Sequence, residues 1–226
     1  MRDTRMTQTF TQEHKAKLEQ YLATHVLPKG LGSPKSACSI AAINLAMSGT
    51  LTDKIPDCMS RVLGRATISL QDGMPDKMRN SLRYKKLLPN MAGTGREHEE
   101  ERIDIILSWM WTVVLPQLQP MADENGFGKK WKTMCKLKTA RAADATGFAV
   151  EATGFADDFD IFANVAIFVS SAAYNYDDAY YTETASAASE VVGFAAIASG
   201  SAADFWETVD PIGVLERMTY LNVEEN

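Results

Sequence analysis

The amino-acid sequence predicts an all-α fold: a multi-helix bundle or an array of helical hairpins, with a C-terminal half packed tightly through alanine and glycine. Three observations carry this expectation. Apolar residues recur at three- and four-residue spacings along most of the chain, and the strict alternation of a half-buried strand is absent. Helix start and stop signals punctuate the first half at short intervals. From Ala140 to Ala203 alanines return at helical steps, and ATGFAVEATGFA, residues 145–156, repeats its first five letters seven residues on.

The elements follow in order. Thr11 predicts the cap of a helix through His14, Leu18, Tyr21 and Leu22, stopped by Pro28 and Gly30. Ser33 and Pro34 read as the cap and first-turn proline of a helix over 37–47, with Gly49 just past its end. Pro56 opens a helix carrying Met59, Val62, Leu63 and residues 66–70, stopped by Gly73. Pro75 opens another with Met78, Leu82, Leu87 and Leu88 inward, ended by Pro89. Thr94 and Glu97 fit a capping box, and the acids at 97 and 99–101 fill first turns, where the helix dipole favours them. Ile103, Ile106, Leu107, Met110, Val113 and Val114 make the apolar face of that helix, and Pro116 ends it. The loop GTGR before it could also hold an anion on free backbone N–H groups, although the capping box alone explains it.

Residues 126–141 form a basic amphipathic helix, with Trp131, Met134, Cys135 and Leu137 set against lysines 129, 130, 132, 136 and 138. Such a helix suits phosphate, a membrane surface or an acidic partner, or is a face neutralised by the acidic half that follows. The repeat then reads as helix. Gly147 and Gly154 each cost about 1 kcal/mol against alanine, and seven apart they share one face, where a neighbouring backbone can approach. Phe148, Phe155, Phe159 and Phe162 follow at steps of seven, four and three, again one face. Breaks are expected near 175–177, at Gly200–Ser201 and at Asp210–Pro211, the last capping a final helix through Leu215 and Met218.

Charge is divided rather than merely negative. Residues 1–139 hold 21 Lys and Arg against 14 Asp and Glu, net +7; residues 140–226 hold 2 against 15, net −13, for the overall −6. The expected organisation is a basic helical domain over 1–139 and an acidic, alanine-rich half over 140–226 packed on it. The start of the chain, MRDTRMTQTF, has no apolar core behind its arginines and is not read as a secretory signal. No apolar run reaches membrane-span length, so no membrane partner is expected. Three scattered cysteines are a poor disulfide framework and imply a reducing compartment, the cytoplasm of a bacterial host. His14, His25 and His98 share no ligand spacing with them, so neither a metal nor a cofactor is expected.

The segments LTDKIPDCMSRVLGR (51–65), QDGMPDKMRNS (71–81), LLPNMAGTGREHEEER (87–102) and FWETVDPIGVLERM (205–218) resemble a group of uncharacterised alanine-rich hypothetical proteins from phages and bacteria. The resemblance spans about residues 37–218. It implies an all-helical fold and a phage or mobile-element origin, and it transfers no catalytic residue. Those proteins intersperse arginine in their alanine tracts, whereas this chain has only Arg217 after Arg141.

Two groups of residues are candidates for function. Arg61, Arg65, Asp72, Asp76, Arg79, Asn80, Arg83 and Arg96 would bind a phosphate-bearing ligand such as a nucleotide if the helices around Gly73–Met74 form a hairpin. The same residues also fit an Asp–Arg network that merely stitches that hairpin. Asp157, Asp158, Asp160, Asp177, Asp178, Glu183 and Glu190 form an extended negative strip. Such a strip attracts a basic protein or nucleoprotein complex, with an association that salt weakens. The leading expectation is therefore a non-catalytic inhibitor of a bacterial defence or nucleic-acid-binding complex. A small-ligand binder comes second and an enzyme third; no Ser–His–Asp or Cys–His grouping is visible. An oligomer is left open.

Overall fold

The computed structural model describes residues 9–152, 159–177 and 179–221. The described residues are all-α apart from one two-residue hairpin. The chain divides into two compact units, Met1–Glu99 with Thr219–Asn226 and Glu100–Met218. The boundary between them does not follow the change of charge at 139: side-chain packing, which is blind to the sign of surface charge, draws it forty residues earlier.

In the first unit α1 (Gln12–Thr24) starts where Thr11 predicts. The Thr11 hydroxyl accepts from the His14 N–H, and the His14 ring accepts from the Thr11 N–H, so a histidine completes the capping box. Leu18 and Leu22 are its buried side. Ser33-Pro34 is not a helix cap. It lies at the turn of a hairpin, β1 (Gly32–Ser33) and β2 (Ser36–Ala37), paired antiparallel. Gly32 is required there, with φ +76° and a hypothetical Cβ 2.0 Å from the Ser36 carbonyl oxygen. Cys38 then caps α2 (Ser39–Ser48), and Gly49 closes it in the left-handed conformation.

The next helix starts later than Pro56 suggests: α3 (Arg61–Gly73) is capped by the Ser60 hydroxyl, which accepts from the Leu63 N–H at 3.0 Å. The helix expected from Pro75 is broken into α4 (Asp76–Arg79) and α5 (Leu82–Met91), because Ser81 caps a fresh start and Pro89 lies within α5 rather than ending it. Leu18, Ile40, Ile43, Leu63, Leu70 and Leu88 form the core of this unit.

The helix α6 (Glu99–Trp109) starts on the last residue of the first unit's long segment and continues into the second. The Thr94–Glu97 capping box does not form, since Thr94 Oγ1 instead accepts from the Ser60 N–H and donates to the Met91 carbonyl. Pro116 does not end the helical path. The chain widens into a π turn over Met110–Val114 and tightens into a 3-10 turn over Leu115–Leu118 before α7 (Gln119–Glu124). Pro116 and Pro120 cannot donate to the carbonyls four residues back, and these changes of pitch carry the chain past them. α8 (Gly128–Leu137) ends on Lys138 in the left-handed region, and Thr139 caps α9 (Ala140–Glu151).

α10 (Phe159–Asp177), α11 (Tyr181–Ala198), α12 (Ala202–Val209) and α13 (Pro211–Thr219) follow, with breaks where Gly200–Ser201 and Asp210–Pro211 predicted them. Asp210 Oδ1 accepts from the Gly213 N–H in the first turn of α13. Among the described residues no helix is long and apolar enough to cross a membrane.

α9, α10 and α11 are stacked through small side chains. Ala163, Ala166, Ala172, Ala185, Ala188 and Ala195 are buried. The repeat is helical as far as Glu151, whereas Gly154 and Phe155 lie outside the described residues. Phe148 and Phe162 do not share a face: Phe148 on α9 is 71% exposed, and Phe162 on α10 is buried against Phe127 and Trp131. Gly147 is no forced close approach, because a Cβ there would meet only the Ala166 Cβ at 3.6 Å, an ordinary contact. The tight glycines are elsewhere. A Cβ at Gly64 would come within 2.7 Å of Ile55, and one at Gly128 would come within 2.8 Å of the Asp123 backbone.

Candidate functional site

The predicted arginine–carboxylate group does not converge. Arg61 lies at the start of α3 and Asp72 near its end, so the 1.5 Å rise per residue separates their backbones by about 16 Å. Around the α3–α4 turn the structure does gather Asp72, Asp76, Arg79 and Asn80. Arg79 is 2% exposed. Its Nε donates to the Leu27 carbonyl at 2.9 Å, its Nη1 to the carbonyls of Gln71 and Met74 at 3.0 and 2.7 Å, and its Nη2 to Asp76.

Asn80 accepts from the Leu27 N–H at 2.7 Å, and Asp72 accepts from the Gly30 N–H at 2.8 Å. Gln71, next to Asp72 in the same polar group of the sequence, accepts from the Ser39 N–H and donates to the Pro28 carbonyl. These side chains spend their hydrogen-bonding capacity on the backbone of residues 27–30 and of the turn itself. The arrangement is the stitching network, and its guanidinium is already engaged.

At the other end of α3 the site is an anion already in place. The Glu99 carboxylate accepts from the Ser60 hydroxyl and from the N–H groups of Arg61 at 2.7 Å and Val62 at 3.3 Å. A glutamate thus fills the position where a helix N-terminus would otherwise hold a ligand. Arg96 extends from the neighbouring loop, its Nη2 donating to Asp57 at 3.1 Å and its Nη1 buried with no hydrogen-bond partner among the described residues. Arg61 and Arg65 are exposed on α3, as is Arg83 on α5. Nothing in the sequence signalled that Glu99 would cap a helix thirty-eight residues upstream.

Burial pushes the Cys38 and Cys58 thiols up and that of Cys135 up to about 11, so each is protonated at neutral pH. Burial also raises the Tyr84 hydroxyl, which lies 2.9 Å from the Ser39 hydroxyl in the core. Among the described residues no three His, Cys, Asp or Glu gather as metal ligands.

Of the negative strip, Asp157, Asp158 and Asp178 lie outside the described residues, and Asp160 is described only as part of the α10 backbone. Asp177, Glu183 and Glu190 are exposed, and none forms an ion pair with a described residue. Their helices run antiparallel: Phe168 stacks on Phe194 at 5.2 Å, and Tyr176 lies against Tyr181. Glu183, Glu190 and Ile197 recur every seven residues as one exposed stripe of α11, and Ile167 and Tyr174 do the same on α10.

α9 is antiparallel to α10 too, since Asp144 bonds Ser170 while Gly147 faces Ala166. Phe148 and Ile167 each follow one member of the Gly147–Ala166 contact. In an antiparallel pair that step turns both to the same side. Phe148, Ile167 and Tyr174 therefore form an exposed apolar patch, 71%, 53% and 53% accessible. No protein-family model matches the chain, and neither a curated protein nor a solved structure matches it.

Proposed function

We propose that the protein is a non-catalytic interaction protein of phage origin that inhibits a nucleic-acid-binding complex of its bacterial host, docking on it through the outer face of α9, α10 and α11. The observation that carries this reading is the pairing of aromatic and aliphatic anchors with unneutralised acids on adjacent helices. Phe148, Ile167 and Tyr174 supply area that stable interfaces bury. Asp177, Glu183 and Glu190 select a basic partner and speed the encounter at low salt. Grooves built for nucleic acid carry the complementary charge.

A second reading, a binder of a nucleotide-like phosphate ligand, is favoured by one atom. Arg96 Nη1 is buried and has no hydrogen-bond partner among the described residues, in the loop that precedes Glu99 and its contacts with the start of α3, where Arg61 is exposed. The engaged state of Arg79 and the Glu99 carboxylate at the α3 N-terminus count against it.

The test compares wild-type protein with the variant D177K/E183K/E190K in pull-downs from bacterial lysate, followed by a nucleic-acid-displacement assay with the captured protein. The expected outcome is a basic nucleic-acid-binding protein that wild type retains and displaces from its nucleic acid, that salt releases, and that the variant does not hold. Equal retention by the variant, or a phosphate compound as the sole bound species, overturns the reading.

A further inference from the structure

Within the acidic second unit one helix is strongly basic. Residues 100–218 hold 8 Lys and Arg against 18 Asp and Glu, and five of those eight are Lys129, Lys130, Lys132, Lys136 and Lys138, on α8 and its cap. All five are exposed, and no described carboxylate pairs with any of them. The neutralised face that the sequence suggested is therefore not found among the described residues.

Helix stability does not explain the row. Lys136 and Lys138 suit the negative end of the helix dipole, but Lys129 and Lys130 sit in the first turn, where the dipole opposes them; the Asp123 carboxylate lies against Gly128 at that end but is bonded by Gln119 and pairs with neither lysine. Lys129–Lys132 and Lys132–Lys136 are like charges at spacings of three and four, which repel. The face is held outward because the opposite side is pinned. Trp131 and Met134 are fully buried, Trp131 Nε1 donates to the Leu115 carbonyl at 3.0 Å, and the Thr146 hydroxyl donates to the Lys130 carbonyl.

We infer that this lysine row is a binding surface for the phosphate backbone of a nucleic acid, read without regard to sequence. Lys129, Lys132 and Lys136 lie on one line of the helix about 10 Å long, which spans more than one phosphate of a strand. A lipid surface is the poorer fit: an interfacial helix must insert its apolar face, and here that face is the core of the unit. A protein partner is the poorer fit as well. Lysine is depleted from interface centres, and the row offers no aromatic or arginine anchor, with Leu137 the exposed apolar residue beside it. The surrounding negative charge keeps the affinity low. Beyond about 10 Å it is largely screened at 0.1 M salt. This surface is separate from the acidic face, and together they suit a nucleoprotein, whose protein the acids would meet and whose phosphates the lysines would meet.

The experiment is fluorescence anisotropy of the full chain with a labelled 20-base-pair duplex of arbitrary sequence, titrated from 25 to 200 mM salt. Binding should be independent of sequence, with a slope of log K against log salt of about −4 for four to five neutralised phosphates. K129E/K132E/K136E, its fold checked by circular dichroism, should weaken binding at least tenfold at 50 mM salt. E183K/E190K should bind the duplex as tightly as wild type or more tightly, which separates this inference from the acidic-face reading. No binding at 25 mM salt, unchanged binding by the lysine variant, or loss of binding by E183K/E190K overturns it. So does equal or stronger association with vesicles of phosphatidylserine and phosphatidylcholine.

Discussion

The two compact units solve the same packing problem with different side chains. In the first, helices are short and the segments between them long, so much backbone lies outside helices. Its carbonyl and N–H groups are met by large polar side chains: Arg79 on three carbonyls, Asn80 on Leu27, Gln71 on Pro28 and Ser39, Asn44 on Thr52 and Lys54. In the second, α9 to α11 satisfy their own backbones over 12, 19 and 18 residues and need only contact surface, which buried alanines supply. A buried polar clamp is demanded where the backbone is irregular, and small side chains suffice where it is regular.

The sharpest way to break this contrast is Arg79→Ala. The change leaves the buried Gln71 and Met74 carbonyls without their donor and the Leu27 carbonyl with Asn80 Nδ2 alone, and a loss of about 3–5 kcal/mol is expected from comparable buried networks, read as the urea midpoint. Arg79→Lys should recover little of it, since an ammonium cannot spread its donors over the same fork. A change below about 1 kcal/mol would mean that residues 27–30 are held by packing alone.

Glu99→Ala tests the other end of α3. Removing a carboxylate that meets Ser60, Arg61 and Val62 should cost about 1–2 kcal/mol, with the loss confined to the first unit in hydrogen exchange. The smallest effect has the opposite sign. Gly147→Ala should stabilise by about 0.5–1 kcal/mol, because the new methyl meets Ala166 at an ordinary distance and helix propensity improves. A destabilisation measured by thermal melting would show that α9 and α10 are closer than ordinary contact.

Legibility in the sequence tracked the range of the interactions. Thr11, Gly49 and Asp210 act on residues within four positions, so their roles as helix boundaries could be read locally. Ser33-Pro34 misled because a cap followed by proline and a tight turn use the same local chemistry. Thr94 misled because its hydroxyl was taken by Ser60, thirty-four residues away. In the candidate sites, the residue types around Asp72 and Arg79 were legible, but their engagement with Leu27 and Gly30 was not. Phe148 had the spacing of a core residue, and only the neighbour of its helix decides which side faces water.

By itself, then, the sequence determined the helical class, the helix boundaries set by local signals at Thr11, Gly49, Gly200–Ser201 and Asp210–Pro211, the alanine character of the C-terminal stack and the unequal charge of the two halves of the chain. Periodicity, capping and composition act over a turn or two of chain, and they need no partner to be read. The tertiary structure alone decided that Arg79 meets the carbonyls of Leu27, Gln71 and Met74. It placed Glu99 over the start of α3, turned the lysines of α8 outward without a described counter-charge, and exposed Phe148 beside Ile167. Each of these depends on which distant backbone group or helix face arrives at the side chain, and spacing along one chain does not carry that information.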